Sequence, residues 1–171
     1  MEKLVIVING KGGVGKDAMC DAIATAYKVQ NISSITPIKE IAAAYGWQGE
    51  KTEAARRFLS DLKRAFTEYS DLPTKYLVAE YEKFLQSDAQ ILFVHIREAS
   101  VIAKFVRETH TPCITLLVRR KAIDNLANYG NASDDLVSDY PYDHYFDNDL
   151  PLAESGAAFI TLIDSIWKKM N

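Results

Sequence analysis

Residues 9–17 read Asn9-Gly10-Lys11-Gly12-Gly13-Val14-Gly15-Lys16-Asp17. The spacing is G-x-x-x-x-G-K, followed by an aspartate where a serine or threonine is usual. Glycines at these positions let backbone N–H groups turn inward around phosphate oxygens. A helix opening at Lys16 would present its positive dipole end to the same anion. Lys16 adds a point charge that can reach the β- and γ-phosphates of a nucleotide. Gly10, Lys11, Gly12, Gly13, Val14, Gly15, Lys16 and Asp17 are therefore the expected ATP-binding residues. Asp17 is a hard oxygen ligand, suited to Mg²⁺ directly or through water. Without the metal it would repel phosphates, so nucleotide binding should depend on Mg²⁺.

Other cations could spread positive charge over a phosphoryl group in transfer. Arg97 follows a hydrophobic run, and its planar fork suits bidentate phosphate recognition. Arg57 and Arg64 are seven residues apart, so they fall on one face of a helix and could line an acceptor pocket. Lys39 is a further candidate, and Arg119-Arg120-Lys121 forms a basic strand end. The acids from Asp134 and Asp135 through Asp139, Asp143, Asp147 and Asp149 lack a calcium-loop spacing and read as a solvated loop.

These residues need elements to position them. Residues 4–8 are a continuous apolar run, as expected for a parallel strand buried on both faces. A helix over about 16–28 should follow, then a short strand at 32–35. Pro37 is placed to open a helix over about 38–45. Residues 53–70 predict a long helix with Ala55, Phe58, Leu59, Leu62, Ala65, Phe66 and Tyr69 in one inward stripe. Another helix runs to about Gln86. Strands are expected at 91–94, 113–118 and 144–147, and helices after Val101 and over the C-terminal stretch. Strands alternating with helices imply an α/β parallel sheet with ligands at the carboxyl ends of its strands.

The chain has 171 residues and a net charge of -3. Its length suggests one domain. Residues 1–121 hold 18 basic and 14 acidic side chains, whereas residues 122–171 hold 2 and 9. So weak a net charge argues against a general nucleic-acid binder. The apolar run at 4–8 is too short for a membrane span. Cys20 and Cys113 are distant and lack a CxxC pair, which argues against a disulfide framework or zinc site and for a reducing cytoplasm.

Lys11-Gly12-Gly13-Val14-Gly15-Lys16 resembles the variant loop of the partitioning and septum-site ATPases, in which Lys11 would reach across a dimer. Asp17 departs from that family, and 32–37 lacks its aspartate-rich strand. The chain as a whole resembles the P-loop nucleoside monophosphate kinase superfamily, including phage-type deoxynucleoside monophosphate kinases, animal-type phosphomevalonate kinases and adenylate-kinase-like proteins. The carriers of this resemblance are Gly15-Lys16-Asp17, Pro37-Ile38-Lys39, His95-Ile96-Arg97-Glu98 and the segment 143–149. It implies a three-layer sandwich around a parallel sheet, with a helical acceptor-binding region at about 37–88 and a short lid-like segment at about 120–143.

The resemblance implies transfer of the γ-phosphate of Mg·ATP to a small monophosphate, foremost a (deoxy)nucleoside monophosphate. In that scheme Arg97 meets the acceptor phosphate, Lys39, Arg57 and Arg64 help bind the acceptor, and Arg119 and Arg120 clamp the transferring group. Residues 148–152 fall where similar kinases hold the adenine. His95 falls where many P-loop enzymes place an aspartate for the Mg²⁺ shell. Together with Asp17, it keeps open a nucleotide-binding module with little turnover. The expected partner is a small phosphorylated metabolite, with no nucleic acid and no membrane.

Overall fold

The computed structural model describes residues 2–125 and 136–170. Among these, five strands form one parallel sheet in the order β2-β3-β1-β4-β5. The strands are β1 (Leu4–Asn9), β2 (Val29–Ser33), β3 (Ile91–His95), β4 (Cys113–Arg119) and β5 (His144–Asp147). The helices are α1 (Lys16–Ile23), α2 (Thr36–Ala44), α3 (Glu53–Ser70), α4 (Leu72–Gln86), α5 (Ala99–Glu108), the short α6 (Lys121–Asp124) and α7 (Leu152–Met170). Every residue of β1 is buried, because it lies mid-sheet between β3 and β4 with helices on both faces.

The alternation of side chains along β1 builds two cores. Val5 and Val7 face α4 and α5, packing with Leu77, Tyr81, Phe84, Ile102 and Phe105. Leu4, Ile6 and Ile8 face α1 and α7, packing with Met19, Ile23, Phe159 and Ile163. The helices that follow the neighbouring strands β1 and β3 therefore lie on opposite faces of the sheet. That divergence opens a crevice at the carboxyl ends of these two strands.

Three expectations change. Helix α1 ends at Ile23 rather than near Lys28. The chain must be extended by Val29 to pair with Ile91, and Tyr27 turns aside to donate to Asp164 at 2.6 Å. Strand β2 accordingly begins earlier than residue 32. The apolar stripe of α3 is not core. Phe58 is 47% and Tyr69 88% exposed, while the buried residues of the helix are Ala55 and Lys63. Helix α3 packs chiefly on α2 and α4 and roofs the crevice instead of lying on the sheet. Of the expected lid-like segment, residues 126–135, with Asp134 and Asp135, lie outside the described residues.

Asp143, Asp147 and Asp149 of the acidic run are not part of a solvated loop. Asp143 Oδ2 accepts from Thr115 N at 2.7 Å and Thr115 Oγ1 at 2.8 Å. Asp147 accepts from Arg119 through both oxygens, at 2.8 and 3.1 Å. Asp149 Oδ1 accepts from Lys121 N at 2.8 Å. Each pair is 28 residues apart, the offset of the β4–β5 register, in which Arg119 stands beside Asp147. The acids pin the edge strand to β4.

Candidate active site

The phosphate loop joins β1 to α1. Gly15 is the N-cap of α1 with φ +89°, a left-handed conformation that L side chains rarely adopt. A Cβ at Gly15 would lie 2.5 Å from Asn148 Nδ2, and a Cβ at Gly10 2.6 Å from Val118 O. The glycines thus admit neighbouring chain as well as ligand. Asn148 uses that closeness: its Nδ2 donates to Val14 O at 2.8 Å, and its backbone N donates to Arg119 O at 2.8 Å. A loop after β5 is thereby clasped to the phosphate loop. No sequence reasoning singled out this contact.

Asn9 performs a second linkage. It is fully buried, and its Oδ1 accepts from Gly10 N at 2.8 Å. Its Nδ2 donates to Arg97 O at 3.0 Å and to Tyr142 Oη at 2.7 Å, and Tyr142 Oη donates onward to Val137 O at 2.7 Å. Burial pushes the Tyr142 phenol up to about 12, so it stays a neutral donor. One amide therefore fixes the loop and the backbone of Arg97 relative to each other.

The crevice between β1 and β3 is a cavity of about 850 Å³. The loop supplies Gly12, Gly13, Gly15, Lys16 and Asp17; the end of β3 supplies His95, Arg97 and Glu98; α2 and α3 supply Lys39, Arg56 and Lys63. Lys16 Nζ bends back to donate to Gly10 O at 2.8 Å and Lys11 O at 3.4 Å. Burial, reinforced by Arg97, lowers its pKa to about 8, while Asp17 pulls it back up. An anion arriving at the loop would favour the charged form. His95 is pushed down by burial, with Asp17 opposing and Lys16 and Arg97 assisting. Its Nε2–H donates to Asn31 Oδ1 at 3.1 Å. A neutral imidazole there supplies no negative charge to a metal shell.

Lys63 is the cavity-lining cation of α3 that the spacing of Arg57 and Arg64 did not single out. Only 7% exposed, it donates to Ser34 Oγ at 2.8 Å and Glu98 Oε2 at 2.7 Å. Burial lowers its pKa and Glu98 opposes that shift. Arg57 and Arg64, expected at the acceptor pocket, do not reach the cavity: they are exposed and pair with Glu53 and Asp61. Each residue advances about 100° around a helix, so the neighbours Arg56 and Lys63, also seven apart, face inward instead. Helical spacing found the pattern but was one residue out in phase. The missing signal was that a roofing helix can turn a lysine, not its apolar stripe, toward the interior.

Lys39 lines the cavity, with Nζ 6.0 Å from the centre of the Trp47 ring. Arg97 lines it beside Lys16 and Lys63. Arg119 does not line it. Its guanidinium is held by Asp147 and stacked 5.0 Å from the Tyr145 ring, on a separate cavity of about 150 Å³ that it shares with Lys11. Arg120 is exposed at the N-cap of α6. The expected clamp is thus tied to the edge strand at Arg119.

Asp17 is exposed in the first turn of α1 and lines the main cavity. One such carboxylate, with phosphate oxygens and waters, fits the octahedral oxygen shell of Mg²⁺. Among the described residues no group of three or more His, Cys, Asp or Glu forms a metal site by itself. The donor set suits an ion that arrives with a nucleotide.

No protein-family model matches this chain, and no curated protein matches its sequence. Solved structures match its fold across nearly the whole chain. A sugar kinase from Janibacter sp. HTCC2649 is 12% identical with a TM-score of 0.54, covering 96% of this chain and 95% of its own. The Mycobacterium tuberculosis APS kinase CysC, in complex with AMPPNP and APS, is 13% identical with a TM-score of 0.52, covering 95% and 98%. Shikimate kinase from Aquifex aeolicus is 8% identical with a TM-score of 0.53, covering 94% and 96%. The five-stranded parallel sheet with its loop after β1 is the P-loop kinase fold.

Proposed function

We propose that this protein is a phosphotransferase that binds Mg·ATP at residues 10–17 and passes the γ-phosphoryl group to a small phosphorylated metabolite. The observation that carries the reading is that the phosphate loop opens into a cavity whose other walls hold further cations, Lys39, Arg56, Lys63 and Arg97. A donor site and a second anion site face each other in one space. Phosphoryl transfer needs this juxtaposition, with positive charge around the transferring group and little covalent chemistry. The kinases among the fold neighbours support it.

In this scheme the loop N–H groups and the N-terminus of α1 hold the nucleotide phosphates. Lys16 exchanges its carbonyl partners for phosphate oxygens. Magnesium, held by Asp17 and the phosphates, would neutralise charge on the donor. Arg97 and Lys63 hold the acceptor phosphate, whose own oxygen attacks, so no strong general base is required. The resemblance drawn from the sequence makes a (deoxy)nucleoside monophosphate the first acceptor to assay.

Neutral His95 at the end of β3 favours a second reading, a nucleotide-binding module with little turnover. One experiment separates the two. Purified protein, Mg·ATP and a panel of monophosphates are assayed for ADP release, beside a calorimetric ATP titration. Acceptor-dependent turnover supports the kinase; ATP binding without it supports the module. Lys16→Ala should abolish turnover while circular dichroism shows an intact fold. An active Lys16→Ala protein would overturn the mechanism.

A further inference from the structure

The main cavity carries more positive charge than one phosphate requires. Beyond Lys16 and Asp17 of the loop, its lining among the described residues holds five cations, Lys39, Lys51, Arg56, Lys63 and Arg97, against one carboxylate, Glu98. Glu98 is already matched to Lys63 at 2.7 Å. A phosphate monoester brings about two negative charges at neutral pH. It offsets two of the four cations that remain, Lys39, Lys51, Arg56 and Arg97, and leaves two without counter-charge.

Lys51 and Arg56 both line the cavity, and among the described residues neither has a carboxylate partner. The contrast within α3 is direct: outward-facing Arg57 and Arg64 each hold an intrahelical acid, at 3.1 and 2.9 Å, while inward-facing Arg56 holds none. Cations gathered on one concave wall focus a field that attracts anions. The lining also excludes something. Among the described residues no Phe, Tyr or Trp lines the cavity. Of the aromatics nearby, Phe58 and Tyr69 lie exposed and Trp47 stands against Lys39 Nζ at 6.0 Å, so the described lining offers no ring on which a nucleobase could stack.

We infer that Lys51 and Arg56 form a second anion subsite in the acceptor cavity, and that the acceptor is a compact metabolite bearing a phosphate, a further anionic group and no nucleobase. This rests on the phosphotransferase reading for what happens to the ligand, but the subsite can be read by binding alone.

The test is calorimetric titration of protein loaded with Mg·AMPPNP, using matched ligands. 3-Phosphoglycerate against glycerol 3-phosphate reads a carboxylate; fructose 1,6-bisphosphate against fructose 6-phosphate reads a second phosphate; AMP and dCMP represent nucleotides. The expected result is at least a tenfold preference for the doubly anionic member of one pair, with both nucleotides weaker. Arg56→Gln and Lys51→Gln, on exposed positions, should each shrink that preference without moving the melting temperature. No preference in either pair, a preference surviving in the double variant, or a nucleotide binding tightest would overturn the inference. ADP release with Mg·ATP is measured separately. Selective binding without ADP release sinks the kinase reading and leaves the subsite standing. ADP release with dCMP and no pair preference does the reverse.

Discussion

Gly10 and Gly12 sit in one turn, yet an added methyl would meet different fates. At Gly10 it would press on Val118 O at 2.6 Å and Val14 Cγ2 at 2.8 Å; at Gly12 it would meet nothing within 4 Å. Gly10→Ala should therefore destabilise the fold by about 1–3 kcal/mol through overpacking. Gly12→Ala should leave stability within about 0.5 kcal/mol. It should still weaken nucleotide binding, because Gly12 lines the space phosphates would fill. Urea denaturation and ATP titration on the same two proteins separate the effects. His95 gives a pH signature. Its folded pKa lies below its ordinary value, chiefly by burial, so below about pH 6.5 the unfolded chain takes up more protons than the native one. Stability should fall as pH drops from 7 toward 5, and His95→Gln should flatten part of that slope in denaturation midpoints.

At the scale of elements, the β4–β5 latch is the testable joint. Asp143→Ala removes the acceptor for Thr115 N and Thr115 Oγ1, and Thr115 is buried although Asp143 itself is exposed. The expected cost is about 1–3 kcal/mol, seen as a lower denaturation midpoint. Asp143→Asn should recover part of it, since the amide oxygen can still accept. The latch also shows where reading a sequence stops. The phosphate loop was legible because its chemistry is local: strand, glycines, lysine and helix occupy consecutive residues. The parallel strands were legible as buried apolar runs. The pairing of Asp143, Asp147 and Asp149 depends on a register between segments 28 residues apart, which no local pattern carries. The cavity wall formed by α3 was misread for a different reason. A helix that roofs a cavity need not bury its apolar stripe, so helical spacing singled out Arg57 and Arg64, whereas Arg56 and Lys63 line the cavity.

For the whole molecule, the division of charge acquires a spatial meaning. The basic cavity is built entirely from residues before 99, while Asp147 and Asp149 of the acidic tail pair with Arg119 and Lys121. Among the described residues the tail's acids neutralise the basic strand end and none lines the cavity. The central place of β1 carries a further consequence. Leu4 pairs with Ile91 and Val5 with Cys113, so the strand bearing the phosphate loop comes first in the chain yet finds its neighbours about 90 and 110 residues later. A chain emerging from the ribosome must hold its most apolar strand unpaired until β3 and β4 have followed. The Gly10–Asp17 turn lacks the supports given by Tyr142 and Asn148 during that interval. The contacts of Tyr142 with Asn9 and of Asn148 with Val14 must wait for the last elements to close.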